Sequence, residues 1–180
     1  MRPRFTPPKP TWKMWVSPWA WGTATGASRK VWLWPPMMAS IPGTSAARDR
    51  GKGFNDAIAT FKDIKVVASQ AADFSRDKGL KVFENILQAQ PEIDGVFAHN
   101  DEMILGAVAA AEAAGRTGIV FVGFDAVDDA VAAVKEGKLA ATVAQQPAVI
   151  GAMGVEKAAA LLAGEELPEF IPVPLQLVTE

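Results

Sequence analysis

The stretch Asp94-Gly95-Val96-Phe97-Ala98-His99-Asn100-Asp101-Glu102-Met103-Ile104-Leu105-Gly106-Ala107 sets the tightest limit on how this chain can fold. It opens as a short apolar run, the pattern of a strand buried on both faces. Three polar residues follow, and then Met103, Ile104, Ala107, Val108 and Ala111 recur at helical spacing. This is a β-to-α junction, with Asp101 expected to be the helix N-cap. With Asp101 capping, the Asn100 side chain is expected to point off the strand's carboxyl end. Ligands collect in that crevice in open parallel sheets.

Composition removes several classes of function. The 180 residues suffice for one domain with a real core. There is no cysteine and one histidine, so thiolate and multi-histidine metal sites are excluded, and neither metal nor cofactor is expected. A net charge of −2 gives no argument for nucleic acid or an anionic membrane as partner. No run approaches the ~20 apolar residues of a membrane span.

The averages conceal a seam. All six tryptophans fall within residues 1–34, and residues 1–40 carry six basic side chains, seven prolines and no acid. The remainder holds twelve basic against twenty acidic residues. Proline at that density breaks helices and central strands alike, so residues 1–40 are expected to be irregular, with Val31–Trp34 their one candidate strand. A signal peptide does not fit, because Lys13 and Pro18 interrupt the apolar stretch from Trp12 to Trp21.

From Ile41 strands and helices alternate. Gly43-Thr44-Ser45 reads as a turn and N-cap before a helix to about Phe61, in which Gly51 and Gly53 suggest close backbone approach. Lys65–Ser69 is expected to be a strand. A second helix opens at Asp73 or Ser75 and ends before Pro91. Strand Gly95–Ala98, helix Asp101–Ala114, strand Ile119–Gly123, helix Val127–Glu136 and strand Ala140–Ala144 follow. Pro147 then starts a helix, and Leu175–Val178 is a last, edge strand. The expected fold class is α/β, a parallel sheet with helices on both faces.

The strand ends carry the candidate chemistry. Phe74, Asn100, Phe124, Asp125 and Gln145 all follow strands at the carboxyl edge, and Arg50, early in the first helix, is the best placed cation. Aromatic faces suit the C–H side of a sugar ring, a carboxylate accepts from adjacent hydroxyls, and amides both donate and accept. Singly, each residue has a plainer use: the two Phe as core, Asp125 as a helix cap, Asn100 as a turn residue. Their repeated placement favours a site for a neutral polyol. His99 is read as a bystander, and Arg48 lies on nearly the opposite helix face from Arg50, so one of the two is expected to be solvated. No nucleophile elbow, phosphate-binding loop or dinucleotide fingerprint is present, so no enzyme is expected.

The segments GTSAARDRGKGF (43–54), ASQAADFSRDKGL (68–80), VFAHNDEMILGA (96–107), VGFDA (122–126) and LAATVAQQP (139–147) resemble the periplasmic ribose-binding proteins, which deliver D-ribose to an ABC transporter. The likeness runs from about Ile41 to the end. It implies that Arg50, Asn100, Asp125 and Gln145 hydrogen-bond D-ribose or a related monosaccharide, that Phe74 and Phe124 flank its ring, and that an ABC-transporter permease is the partner. His99 stands where the family leads one to expect glutamine. The resemblance also implies a periplasmic location, with the cytoplasm as alternative because residues 1–40 lack a signal-peptide pattern.

Members of that family have two similar lobes. The likeness implies that residues 41–180 are the carboxyl-terminal lobe alone, incomplete, with half a sugar site. Residues 1–40 do not match, and their composition reads as out-of-frame sequence. A strand is then missing between those matching 65–69 and 95–98, for which Val31–Trp34 or Met37–Ile41 could substitute. The helix from Pro147 would expose Val149, Ile150, Met153 and Leu161. Two alternatives stand beside this reading. One is the effector-binding half of a LacI-type transcription regulator, which needs a helix-turn-helix that the prolines of residues 1–40 leave no room for. The other is a gene fragment with no function of its own.

Overall fold

The computed structural model describes residues 31–33, 45–62 and 64–180 of the chain. The irregular reading of residues 1–30 and 34–40, the alternative strand Met37–Ile41 and the turn at Gly43-Thr44 lie outside the described residues. The elements in order are β1 (Val31–Leu33), α1 (Ser45–Ile58), α2 (Arg76–Ala89), β2 (Gly95–Phe97), α3 (Asp101–Ala113), β3 (Val120–Asp125), α4 (Asp128–Lys135), β4 (Ala141–Ala144), α5 (Pro147–Leu162) and β5 (Gln176–Val178).

Five strands form one sheet in the order β1-β2-β3-β4-β5. The first four are parallel, with Val96 opposite Trp32 on one side and Phe121 on the other. β5 runs antiparallel to β4, so the sheet is mixed and not wholly parallel as expected. β5 begins with Gln176 beside Ala144, at the carboxyl end of β4, and runs back to Val178 beside Thr142, so the run between α5 and β5 carries the chain to the carboxyl edge again.

Successive residues of β2 point to opposite faces, and helices cover both. On one face Val96 and Phe121 join Phe83 and Ile86 of α2 and Met103, Ile104 and Ala107 of α3 in the main hydrophobic cluster. The rings of Phe83 and Phe121 meet edge to face at 6.0 Å. On the other face Phe54 of α1 stacks on Phe97 at 5.1 Å. Helix α3 stops where expected: Gly115 takes φ +65 and the Arg116 amide donates to the Ala111 carbonyl, closing the last turn.

Three expectations are corrected. Lys65–Ser69 is not a strand. The outer edge of β2 is occupied by β1, so this extended backbone gains no ladder there, and apolar pattern alone does not make a strand. Beyond its own helix backbone and chain neighbours, no described residue comes within 4 Å of where a Cβ of Gly53 would lie, so close approach is not its role, whereas Gly51 is buried. The cap of α3 is Asn100, whose Oδ1 accepts from the Met103 amide at 3.2 Å; Asp101 is instead the first helical residue and fully buried.

α5 buries none of its residues. Val149, Ile150, Val155, Leu161 and Leu162 are all exposed, and Met153 is half-buried.

Candidate functional site

Parallel strands end on one edge, and β2, β3 and β4 there place Asn100, Asp125 and Gln145 at successive positions. The β3–β4 register pairs Asp125 with Ala144, so Gln145 emerges beside Asp125. Its Nε2 donates to Asp125 Oδ1 at 2.6 Å. From α1, Arg50 reaches the same oxygen with Nη2 at 3.4 Å, and donates from Nη1 to the His99 carbonyl at 2.6 Å. Its Cζ lies 3.9 Å from the centre of the Phe124 ring, within cation–π range.

Arg50, Phe124, Asp125 and Gln145 thus form one contact group, tied through Arg50 to the residue before Asn100. The Arg50 side chain is 13 % exposed and that of Asp125 28 %. Burial lowers the guanidinium pKa, while the charge of Asp125 opposes that shift. Burial raises the Asp125 pKa, countered by the Arg50 charge and the Gln145 amide. Each charge is partly stripped of water and partly repaid by its partner, which leaves both ready to bond a neutral polar guest.

Asn100 is buried and its oxygen serves the cap, so the free side chain expected from the sequence is half committed. What it keeps to offer is its amide N–H pair. Phe74 stands in the turn ahead of α2, half-buried against the core, with Asp73 and Phe74 at φ +48 and +53. Of the two arginines on opposite faces of α1, Arg48 is the solvated one, beside Asp49. Asp125 does not cap α4: Val127 holds that position, and its amide is bonded by Asp101 Oδ2 at 2.9 Å.

Sequence reasoning missed Asp101 and Thr142, both fully buried and joined by a 2.7 Å bond from Thr142 Oγ1 to Asp101 Oδ1. The available signal was Gly123 within an apolar strand, since glycine there marks a close neighbour. A Cβ at Gly123 would lie 2.2 Å from Asp101 Oδ1. It also missed Arg76, which bridges Glu102 and Asp129 at 2.8 Å each along the rim of the same edge. His99 is fully buried, and among the described residues neither ring nitrogen has a hydrogen-bond partner. Burial first, and then the charge of Arg50, lower its pKa to about 4.

Residues 36–166 match the periplasmic binding protein domain family. The chain is 53% identical over 141 residues to the ribose import binding protein of Salmonella typhimurium, covering 78% of this chain and 47% of that one. It is 39% identical over 145 residues to the D-allose-binding periplasmic protein of Escherichia coli, covering 77% and 47%. A solute-binding protein of an ABC transporter from Actinobacillus succinogenes, solved with bound D-allose, superposes with a TM-score of 0.77 at 36% identity, over 83% of this chain and 51% of the other. The chain spans about half the length of the curated relatives it matches.

Proposed function

The chain belongs to the periplasmic binding protein family, and from that premise we propose that it is the carboxyl-terminal lobe of a periplasmic sugar-binding protein with D-ribose as its ligand. The family is a non-catalytic one, so the role is capture and release. We infer that Arg50, Asn100, Asp125 and Gln145 supply this lobe's hydrogen bonds to the sugar, with Phe74 and Phe124 flanking the ring. A membrane permease of an ABC-type import system is the partner of the whole binding protein, and the periplasm its location.

The observation that carries this reading is the meeting of Arg50 and Gln145 on Asp125 at the sheet's carboxyl edge, with the Phe124 ring packed on Arg50. The carboxylate has lone pairs to spare for vicinal hydroxyls, and the guanidinium and amides are donors to the ring and hydroxyl oxygens. One face of Phe124 is already covered by Arg50, which leaves the other for a C–H face of the sugar. The choice of ribose rests on identity, which is higher to the ribose import protein than to the allose-binding one.

Thermal unfolding with and without D-ribose tests it. A ligand that binds only the native state at about four times its Kd adds about 1 kcal/mol. For a chain of this size that raises Tm by roughly 3 °C. The shift is expected with D-ribose, smaller with D-allose and absent in Arg50→Ala. A cooperative transition that no monosaccharide moves would overturn the reading.

A further inference from the structure

We propose that the buried pair Asp101–Thr142 is the positioning element of this site, clamping the chain after β3 so that the Asp125 carboxylate meets both Arg50 and Gln145. The inference rests on the reading of those residues as the sugar-binding group and adds what holds them in register.

Asp125 and Ala126 leave β3 with φ +120 and +58, conformations that L side chains rarely adopt. Backbone held in such regions persists where its surroundings over-determine it. Here the determinants are two hydrogen bonds from consecutive amides. Ala126 N donates to Thr142 Oγ1 at 3.2 Å, and Val127 N donates to Asp101 Oδ2 at 2.9 Å. Thr142 donates its own proton to Asp101 Oδ1, so the two side chains form one bracket that spans the start of α3, the exit of β3 and the middle of β4. Both are 0% exposed.

Everything about Asp101 fits holding backbone. It lies under Gly123, whose missing side chain makes room for the carboxylate. Burial raises its pKa, opposed by the Thr142 hydroxyl and by the amides of Val127, Ala126 and Phe124. Without the bracket, the two positive-φ residues are free to relax toward ordinary conformations. The carboxylate of Asp125 would then leave Gln145, which follows β4 directly.

The test is residue-resolved amide hydrogen exchange by NMR on the full chain and on Thr142→Val, Thr142→Ser and Asp101→Asn. Loss of one buried bond should speed exchange at the amide it served about tenfold. Thr142→Val is expected to do so at Ala126, with the amides of β2 and α3 unchanged, and Thr142→Ser, which keeps the hydroxyl, to restore protection. In Asp101→Asn the single side-chain oxygen cannot serve both donors as the carboxylate does, so Val127 is expected to lose protection. In the same samples, Thr142→Val should abolish the response of the Gln145 side-chain amide to added D-ribose, and Thr142→Ser should retain it. Wild-type exchange at Ala126 in Thr142→Val, or acceleration spread evenly over the whole sheet, overturns the proposal. Should Thr142→Val fail to fold, unchanged protection of Val127 in Asp101→Asn overturns it equally. A wild-type chain that shows the exchange pattern but no response to any monosaccharide keeps the bracket and removes the sugar reading.

Discussion

At the residue scale His99 has the sharpest consequence. A neutral imidazole whose two nitrogens have no hydrogen-bond partner among the described residues is buried beside the Arg50 guanidinium, and its pKa is about 4 against an ordinary 6.5. The unfolded chain therefore takes up this proton near pH 6.5 and the folded one near pH 4, so stability falls as pH drops through that window and levels below it. Between pH 7 and pH 5 the loss attributable to His99 is roughly 2 kcal/mol. Urea unfolding of the wild type and His99→Gln at both values should show the difference between the two proteins shrink or reverse by that amount in acid. Equal losses in the two proteins would mean that the histidine is hydrated. Burial of this kind was not legible in the sequence, because what surrounds His99 comes from Phe97 and from α1, and α1 lies some fifty positions earlier. The placement of Asp125 and Gln145 was legible, since residues at the ends of parallel strands must gather at one edge, and Arg50 was legible as the cation early in the helix beside them. The cap of α3 was assigned to Asp101 and falls to Asn100. Both residue types cap helices, and the choice was made by Thr142, a bond partner across 41 positions.

At the element scale the contact between α2 and α3 dominates the packing of the main face. It is made close by two glycines. A Cβ at Gly106 would lie 2.2 Å from the Arg76 carbonyl oxygen, and one at Gly79 would lie 2.6 Å from that of Met103. Both obstacles are backbone, which cannot swing aside as a long side chain does. Gly106→Ala should therefore separate the helices and cost about 1–3 kcal/mol, although alanine is the better helix former. A lowered urea midpoint at unchanged m-value checks it; a stabilised protein would show that the helices are free to shift. Periodicity located both helices within a residue or two, since a buried face repeats locally in sequence. Strand pairing is not local, and there reading succeeded only in part. Val31–Leu33 takes the place beside Gly95–Phe97 for which Val31–Trp34 was a candidate, and β2, β3 and β4 are parallel as expected. But Lys65–Ser69 has the residues of a strand without the ladder, and β5 gave no sign of its direction.

For the whole molecule the question is how a sheet is closed in a chain that spans about half the length of its relatives. Among the described residues α5 buries none of its own side chains, and Leu162 at its end is 91% exposed. One sheet edge is closed by β1, three residues paired in parallel with Gly95, Val96 and Phe97. An uncovered β2 edge would offer unpaired amides and carbonyls to other chains. In a parallel strand alternate amides face a given neighbour, so of two adjacent residues in β1 one donates to β2 and the other does not. Proline removes the donor wherever it is placed, but it damages the ladder only at the donating position. Trp32→Pro and Leu33→Pro should therefore differ: one is expected to lose about 1 kcal/mol and to aggregate at a lower temperature, and its neighbour to stay near the wild type. Denaturant unfolding with light scattering reads both effects. Two variants that both match the wild type would mean that β1 does not close the sheet, and that the chain folds with the β2 edge bare.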